Sequence, residues 1–498
     1  MSMVWKYRTL LVAAICCTSC FVRSQSIIPS VAESGIAGSE EGVPINIDNL
    51  PDSLKGRKPF VVSLISISGN KKTKDYVIKR ELPFQEGDSV VLNELVDKFR
   101  LGKQQLINTR LFNEVVISLK RFRGYMVEVQ VDVKERWYIF PIPYFKPVDR
   151  NLQTWAQKGY SLDRINYGAK FTYYNTTGRN DKLKLWLITG YAKQLQLSYD
   201  QPYADKSLKK GYAVNFIYSG LKEINVNTIN NQQFFLKSDS LPKSGTFLET
   251  MYGGSVQFNY RPGLQTRHSV RAGYWVNEVD NAVLEINPKY LSLSGKKKIA
   301  VPELTYSISH VNVDYAPYPL KGVLAYAAIT RRGFGNDPGM WNLDLKGTRA
   351  WDLKKKFSYS LQFAGMLTLP FKQPYRNHRL FGYGDFYLRG LEKYVIDGVA
   401  GAMARNTLRR EIFNFNVRLP VKKGSHDHIP FRLYAKSYTD MGFSINKTFD
   451  NNSYANRMLY TAGAGLDIVT LYDIVVRLEY SANHFGQRGF FFHFKNDF

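Results

Sequence analysis

The chain has 498 residues, and its 68 Lys and Arg against 42 Asp and Glu give a formal net charge of +26. That charge attracts the phosphates of nucleic acid or of anionic lipid, and alone it does not choose between them. Hydrophobic residues make up an ordinary 44%, but 33 Tyr, 31 Phe and 7 Trp are the aromatic supply that a membrane barrel's interfacial girdles need, although a soluble sandwich could match it.

At the N-terminus, Lys6 and Arg8 precede an apolar run from Thr9 to Ile15 and then small residues. This is the layout of a secretory signal peptide over residues 1–24, too short to span a bilayer. Cleavage after Ser24 removes Cys16, Cys17 and Cys20, and with them any disulfide or thiolate metal site. The alternative makes Cys20 a lipid-anchored first residue, although Cys17 stands where such signals usually carry Leu. Residues 25–58 are punctuated by Ser, Gly, Glu and Pro without a sustained apolar period, which predicts a flexible tether.

Residues 59–137 predict a compact α/β domain. Val61 to Ser68 is β-branched and apolar, Gly69-Asn70 turns the chain, and a short helix follows over Thr73 to Leu82 with Thr73 as its cap. After the turn at Gly87-Asp88, Leu92, Leu95, Val96 and Phe99 recur at helical spacing, in a helix that continues toward Ile107. Val115, Ile117 and Leu119 alternate, as do Val127, Val129, Val131 and Val133, which gives a strand pair with one buried face. The order β-α-α-β-β resembles a POTRA domain, with local matches at Gly69-Asn70, Ile78, Arg80, Gly87-Asp88 and Leu111-Phe112. The resemblance implies a periplasmic module that takes up partners by strand addition at a sheet edge.

Beyond about Tyr144 no helix of ordinary length is expected. Leu183, Leu185 and Leu187 alternate with Lys182, Lys184 and Trp186, and Leu195, Leu197 and Tyr199 alternate with polar residues. Segments of about ten residues with one apolar face, separated by turns such as Asn175-Thr176-Thr177-Gly178 and Arg261-Pro262-Gly263, are the signature of a transmembrane β-barrel. Residues 138–498 therefore predict an antiparallel barrel with a first strand near Tyr167 to Tyr174 and a last near Gly489 to Phe498; about fifteen candidate strands can be marked, and the even number expected of a bacterial barrel makes about 16.

Two features specify the kind of barrel. One is the Gly- and aromatic-rich stretch from Leu380 to Glu411, which holds Leu388-Arg389-Gly390 and leads to a strand opening near Thr407. The other is the last segment, where Phe490, Phe492, Phe494 and Phe498 share a face. With the POTRA-like domain, these features resemble the BamA/TamA-type outer-membrane protein assembly factors. In that family the Arg of such a loop folds into the lumen and bonds acidic residues on the two following strands, and the terminal aromatics mark the barrel for assembly. Strand parity places Asp440, of Asp440-Met441-Gly442, on the inward face with Arg432 and Lys436. The second acid fits less well. Asn416 stands where it is expected, and Glu411 has the wrong parity unless a bulge shifts the register.

No His-Glu-x-x-His, Gly-x-Ser-x-Gly, Walker loop or EF-hand series occurs, so neither an enzyme nor a cofactor or metal is expected. The resemblance implies outer-membrane lipids, unfolded outer-membrane or secreted clients, and accessory periplasmic or lipoprotein subunits as partners, and no nucleic acid. A passive channel, made anion-favouring by Arg418, Arg432 and Lys436, is the alternative; a soluble polyanion-binding β-protein is a third, disfavoured by the signal peptide.

Overall fold

The computed structural model describes residues 59–147, 165–241, 246–335, 337, 339–384, 386–418, 428–447 and 453–495. The signal peptide, Cys20, the tether and Phe498 lie outside the described residues.

Apolar alternation builds the first sheet. Strand β1 (Phe60–Ser68) buries Phe60, Val62 and Ile65, the change of spacing being absorbed by an irregularity between Val62 and Leu64. The short β2 (Ser89–Val90), β3 (Phe112–Arg123) and β4 (Met126–Glu135) complete a sheet in the order β2-β1-β4-β3, with β1 parallel to β4. Helix α1 (Asp75–Glu81) contributes Val77 and Ile78, and α2 (Leu92–Asn108) contributes Leu92, Leu95 and Leu106, to a core closed by the four alternating valines of β4. Thr73 does not cap α1, which begins after Lys74 without a side-chain cap. Its hydroxyl is instead buried 3.1 Å from the Tyr138 hydroxyl and accepts a bond from Asn175 Nδ2 at 2.9 Å.

The rest of the chain forms a 16-stranded antiparallel β-barrel. Its first eight strands are β5 (Ile139–Pro147), β6 (Ile165–Tyr174), β7 (Lys182–Gly190), β8 (Lys193–Gln201), β9 (Lys210–Leu221), β12 (Glu249–Tyr260), β13 (Thr266–Val279) and β14 (Lys298–Val313). The second eight are β15 (Gly322–Arg332), β16 (Met340–Asp352), β17 (Phe357–Leu369), β20 (Ala400–Arg418), β21 (His428–Ile445), β22 (Met458–Thr470), β23 (Val475–Asn483) and β24 (Arg488–Lys495). Between β9 and β12 lies the hairpin β10 (Glu223–Ile229) and β11 (Gln232–Lys237); α3 (Asn281–Ile286) follows β13, and β18 (Arg379–Phe381) pairs with β19 (Ile396–Asp397) in the loop before β20. Two strand expectations are corrected. The strand before Thr407 opens at Ala400, and the barrel begins at β5, one strand earlier than Tyr167. Prolines at 141 and 143 hide β5 from a propensity argument, and an edge is where a sheet tolerates them.

The pairing register decides which way the faces point. Val214, Val256, Ala272 and Leu304 lie opposite one another across β9, β12, β13 and β14, as do Leu466, Leu478 and Phe492 across β22, β23 and β24. Val256 is 60% and Phe492 65% exposed, so the apolar face is the outer one. The opposite parity carries buried charge: Asp440, Lys436 and Glu479 point inward. A soluble sandwich would reverse this arrangement, which is that of a barrel facing lipid.

Candidate functional site

Between β17 and β20 the chain turns back into the lumen and packs Leu380, Phe381, Leu388, Leu391 and Ile396 against Ala364, Met403 and Leu459 of the wall. Within that loop each residue of Leu388-Arg389-Gly390 has a separate task. Leu388 is buried over Gly442, where an added Cβ would come within 2.8 Å of Leu388 Cδ1, which explains the glycine of Asp440-Met441-Gly442. Gly390 adopts φ +91 against Ser481 on β23, and its carbonyl accepts a bond from Asn483 Nδ2 at 3.0 Å. Arg389 is the anchor. Its Nε donates to Asp440 Oδ2 at 2.9 Å, its Nη2 donates to Oδ1, and its own backbone N–H donates to Oδ2 at 3.1 Å. Nη2 also reaches Thr407 Oγ1 at 3.1 Å, and the guanidinium lies 3.9 Å from the centre of the Tyr438 ring.

The Asp440 side chain has 0% exposure and that of Arg389 8%, so the pair is desolvated and two-pronged, the geometry in which an arginine–carboxylate bond is strongest. Arg405 closes the site from β20, donating to the Tyr387 carbonyl and stacking 4.4 Å from the Tyr387 ring. Glu411 is not part of this anchor. The register places it opposite Tyr434, inward, with an irregularity immediately after it, and its carboxylate accepts the Tyr434 hydroxyl at 3.2 Å. Four residues of strand, about 13 Å, separate it from Thr407, which fills the second position on β20.

At the other end of the barrel the POTRA-like domain is bonded to the turns. Arg261, in the β12–β13 turn, grips Glu81 of α1 with bonds of 2.5 and 2.7 Å, and Arg80 donates to the carbonyls of Leu208, Arg261 and Gly263 at 2.8–3.0 Å. Asn108 of α2 bridges Val313 and Ala316 after β14. Arg136 holds Asp473, between β22 and β23, at 2.9 and 3.2 Å. Burial pushes the Asp473 carboxyl up, but the charge and hydrogen bonds of Arg136 outweigh it and leave the pKa below the ordinary carboxylate value. These contacts were not visible in the sequence, because each joins segments 100 or more residues apart.

The remaining expected positions serve the domain itself. Gly69 turns with φ +83 where a Cβ would meet the Val133 carbonyl, and Asn70 Nδ2 bonds Thr73 O and Asp75 Oδ1. Gly87 and Asp88 tie their turn to Val62 through backbone bonds of 2.8 and 2.9 Å. Leu111 and Phe112 are buried, and their carbonyls receive Tyr138 and Arg136. Phe490, Phe492 and Phe494 are 85%, 65% and 54% exposed on the outward face of β24.

The sheet ends at β5 and β24, and no ladder joins them among the described residues. Pro141 and Pro143 lie opposite Phe171 and Ala169 of β6. A proline nitrogen cannot donate, so an intact β5–β6 ladder turns both nitrogens toward the seam. Phe140 nevertheless packs edge-on against Tyr472 at 5.7 Å, which brings β5 beside the β22–β23 turn.

Comparison with known proteins agrees with this architecture. The POTRA family, described as surface antigen variable number repeat, matches residues 60–136. An outer membrane protein assembly factor BamA from Neorickettsia risticii is 34% identical over 79 residues, 16% of this chain, so the chain spans about a tenth of that relative's length. Two solved structures are similar to the chain over most of its length. BamA from Haemophilus ducreyi lacking POTRA domains 1–3 superposes with TM-score 0.48 and 16% identity over 87% of this chain and 84% of its own. CdiB from Escherichia coli gives 0.46 and 12% over 91% and 93%. A POTRA domain bonded to a 16-stranded barrel defines the class, a barrel of a bacterial outer membrane with its POTRA domain in the periplasm. Within that class the chain resembles the BamA/TamA-type superfamily, to which the matched segment of residues 60–136 is similar.

Proposed function

We propose that the protein assists the insertion or translocation of other proteins at the outer membrane. The observation that carries this reading is the seam between β5 and β24, which no ladder joins among the described residues, beside a docked POTRA domain. An unpaired edge in hydrocarbon leaves backbone groups without partners, so an incoming strand that pairs with it gains hydrogen bonds the resting barrel lacks. On the periplasmic side β3 pairs only with β4 among the described residues, and its edge suits capture of an extended client by strand addition. Arg389–Asp440 then holds the lumen loop in one place while the seam opens. The work is physical, with no covalent step and no cofactor in this role; the partners are membrane lipids, unfolded outer-membrane or secreted clients and accessory periplasmic or lipoprotein subunits.

The test is the rate at which the purified protein in liposomes speeds folding of an unfolded barrel substrate, compared with Arg389→Ala and with a chain lacking residues 59–137. Acceleration that falls in both variants supports the proposal. No acceleration of substrates from the same organism would refute an insertase and leave a dedicated secretion port or channel.

A further inference from the structure

We infer that Glu392, Glu479 and His493 form a binding site for a divalent transition-metal ion of the zinc class, inside the barrel wall beside the seam. The three residues come from different elements: Glu392 from the lumen loop, Glu479 from the inward face of β23, and His493 from β24. Their ligand atoms lie within 4.8 Å of one another, with His493 Nε2 3.4 Å from Glu392 Oε1 and 3.3 Å from Glu479 Oε2. Ligands about 2.1 Å from a tetrahedral ion stand about 3.4 Å apart, so both separations fit an ion seated between the imidazole and each carboxylate.

The state of these atoms is the second, independent observation. Glu392 Oε1, Glu479 Oε2 and His493 Nε2 are all buried and have no hydrogen-bond partner, and the Glu479 side chain is only 1% exposed. Buried polar atoms are costly to leave unpaired, and here three converge on one point. Their sister atoms are committed elsewhere, which aims the free ones. Glu392 Oε2 accepts the Gly390 N–H at 2.7 Å, and Glu479 Oε1 accepts from Lys436 Nζ at 2.5 Å. Tyr387 stacks on the His493 ring at 5.2 Å and 27°, fixing its plane. Such outer bonds are what orient the ligands of a metal centre.

Charge around the site is balanced: Lys436 is shared between Glu479 and Asp467, Arg477 lies opposite His493, and Arg389 and Arg405 are engaged by Asp440, so four cations stand with Glu392, Glu479, Asp467 and Asp440, and the ion is favoured by the converging ligand atoms and not by net charge. One imidazole and two carboxylates favour a zinc-class ion over calcium or magnesium, which take oxygen ligands, and leave a fourth position open. The rival arrangement is an imidazolium between two carboxylates, but a single Nε2–H directed at one of them leaves the other unsatisfied. An ion in this place would tie the lumen loop to the last two strands, and so to one side of the seam. The assignment stands independently of the proposed assembly activity.

The full-length protein in detergent, stripped with chelator and desalted, is titrated with Zn²⁺ by calorimetry and with Co²⁺ by visible absorption. One ion per chain with a tetrahedral cobalt spectrum is expected, and His493→Ala or Glu479→Gln should weaken binding by tenfold or more. Heat-modifiable migration on a gel confirms that each variant is folded. Glu392→Gln, in the loop, gives the same readout without altering a strand. No saturable binding by the folded wild-type protein, or binding unchanged in the folded variants, would overturn the site. So would a His493 resonance that titrates as an imidazolium and does not respond to Zn²⁺.

Discussion

Asp440 carries a charge with no exposed side-chain surface, and Arg389 supplies its closest counter-charge, with Arg405 Nε farther off at 3.9 Å. Removing one member of a buried pair leaves the other desolvated and unpaired, at a cost of about 3–5 kcal/mol. Arg389→Ala should therefore release the loop while the barrel still folds, and Arg389→Lys should rescue it only in part, because an ammonium cannot repeat the two-pronged contact. The measure is the rate of protease cleavage within residues 382–395 in native membranes, with heat-modifiable migration as the control. Cleavage equal to wild type in the folded Ala variant would exclude the anchor. Asp440 was legible in the sequence because parity alone turned it inward. Glu411 was misassigned to the anchor because a carboxylate near the expected position says nothing about distance along the strand. The partner on β20 is a threonine hydroxyl, which no charge pattern announces.

Among the elements, β5 determines how firmly the barrel closes. Pro141 and Pro143 remove two consecutive donors from the side facing β24, and each new backbone bond would be worth about 0.5–1.5 kcal/mol. The double variant Pro141→Val with Pro143→Val should stabilise the closed seam by about 1–3 kcal/mol and slow substrate insertion by about tenfold. An unchanged or faster rate, with intact folding, would show that the prolines do not weaken the seam. The same region carries a pH dependence. Asp473 is held below its ordinary pKa by Arg136, so its contribution to POTRA docking is present above the unfolded carboxylate pKa of about 3.9 and is lost as pH falls through the lower folded value. Crosslinking between a cysteine placed on α2 and one in the β22–β23 turn should hold constant from neutral pH to about 5 and fall in stronger acid, and Asp473→Asn should abolish the pH dependence. These elements were only partly readable. Alternation found β7, β8 and the last strand, but a strand that carries prolines, such as β5, or runs through a bulge, such as β20, breaks the period on which the method rests.

For the whole molecule, the POTRA domain meets one end of the barrel and a loop of the chain packs inside its lumen. At one end the POTRA domain is bonded to the turns through Glu81–Arg261, Asn108 and Arg136–Asp473. Inside, the loop between β17 and β20 packs a hydrophobic cluster into the lumen, and the β10–β11 hairpin touches it through Val395 N donating to the Asn231 carbonyl at 2.9 Å. The basic lumen residue Lys436 is neutralised by Asp467 and Glu479, so it cannot act as a free anion-selecting charge. Net charge and composition could not reveal this, because neutralisation depends on which residues face each other across strands. The consequence is measurable in a planar bilayer. The wild-type protein should show low, intermittent conductance, while deletion of residues 382–395 should open a large and steady pore, since it takes away Leu388, Arg389 and Leu391 together. Large, steady and anion-selective conductance from the wild-type chain would instead mean that the loop leaves the lumen in the membrane, and the passive channel would then displace the assembly reading.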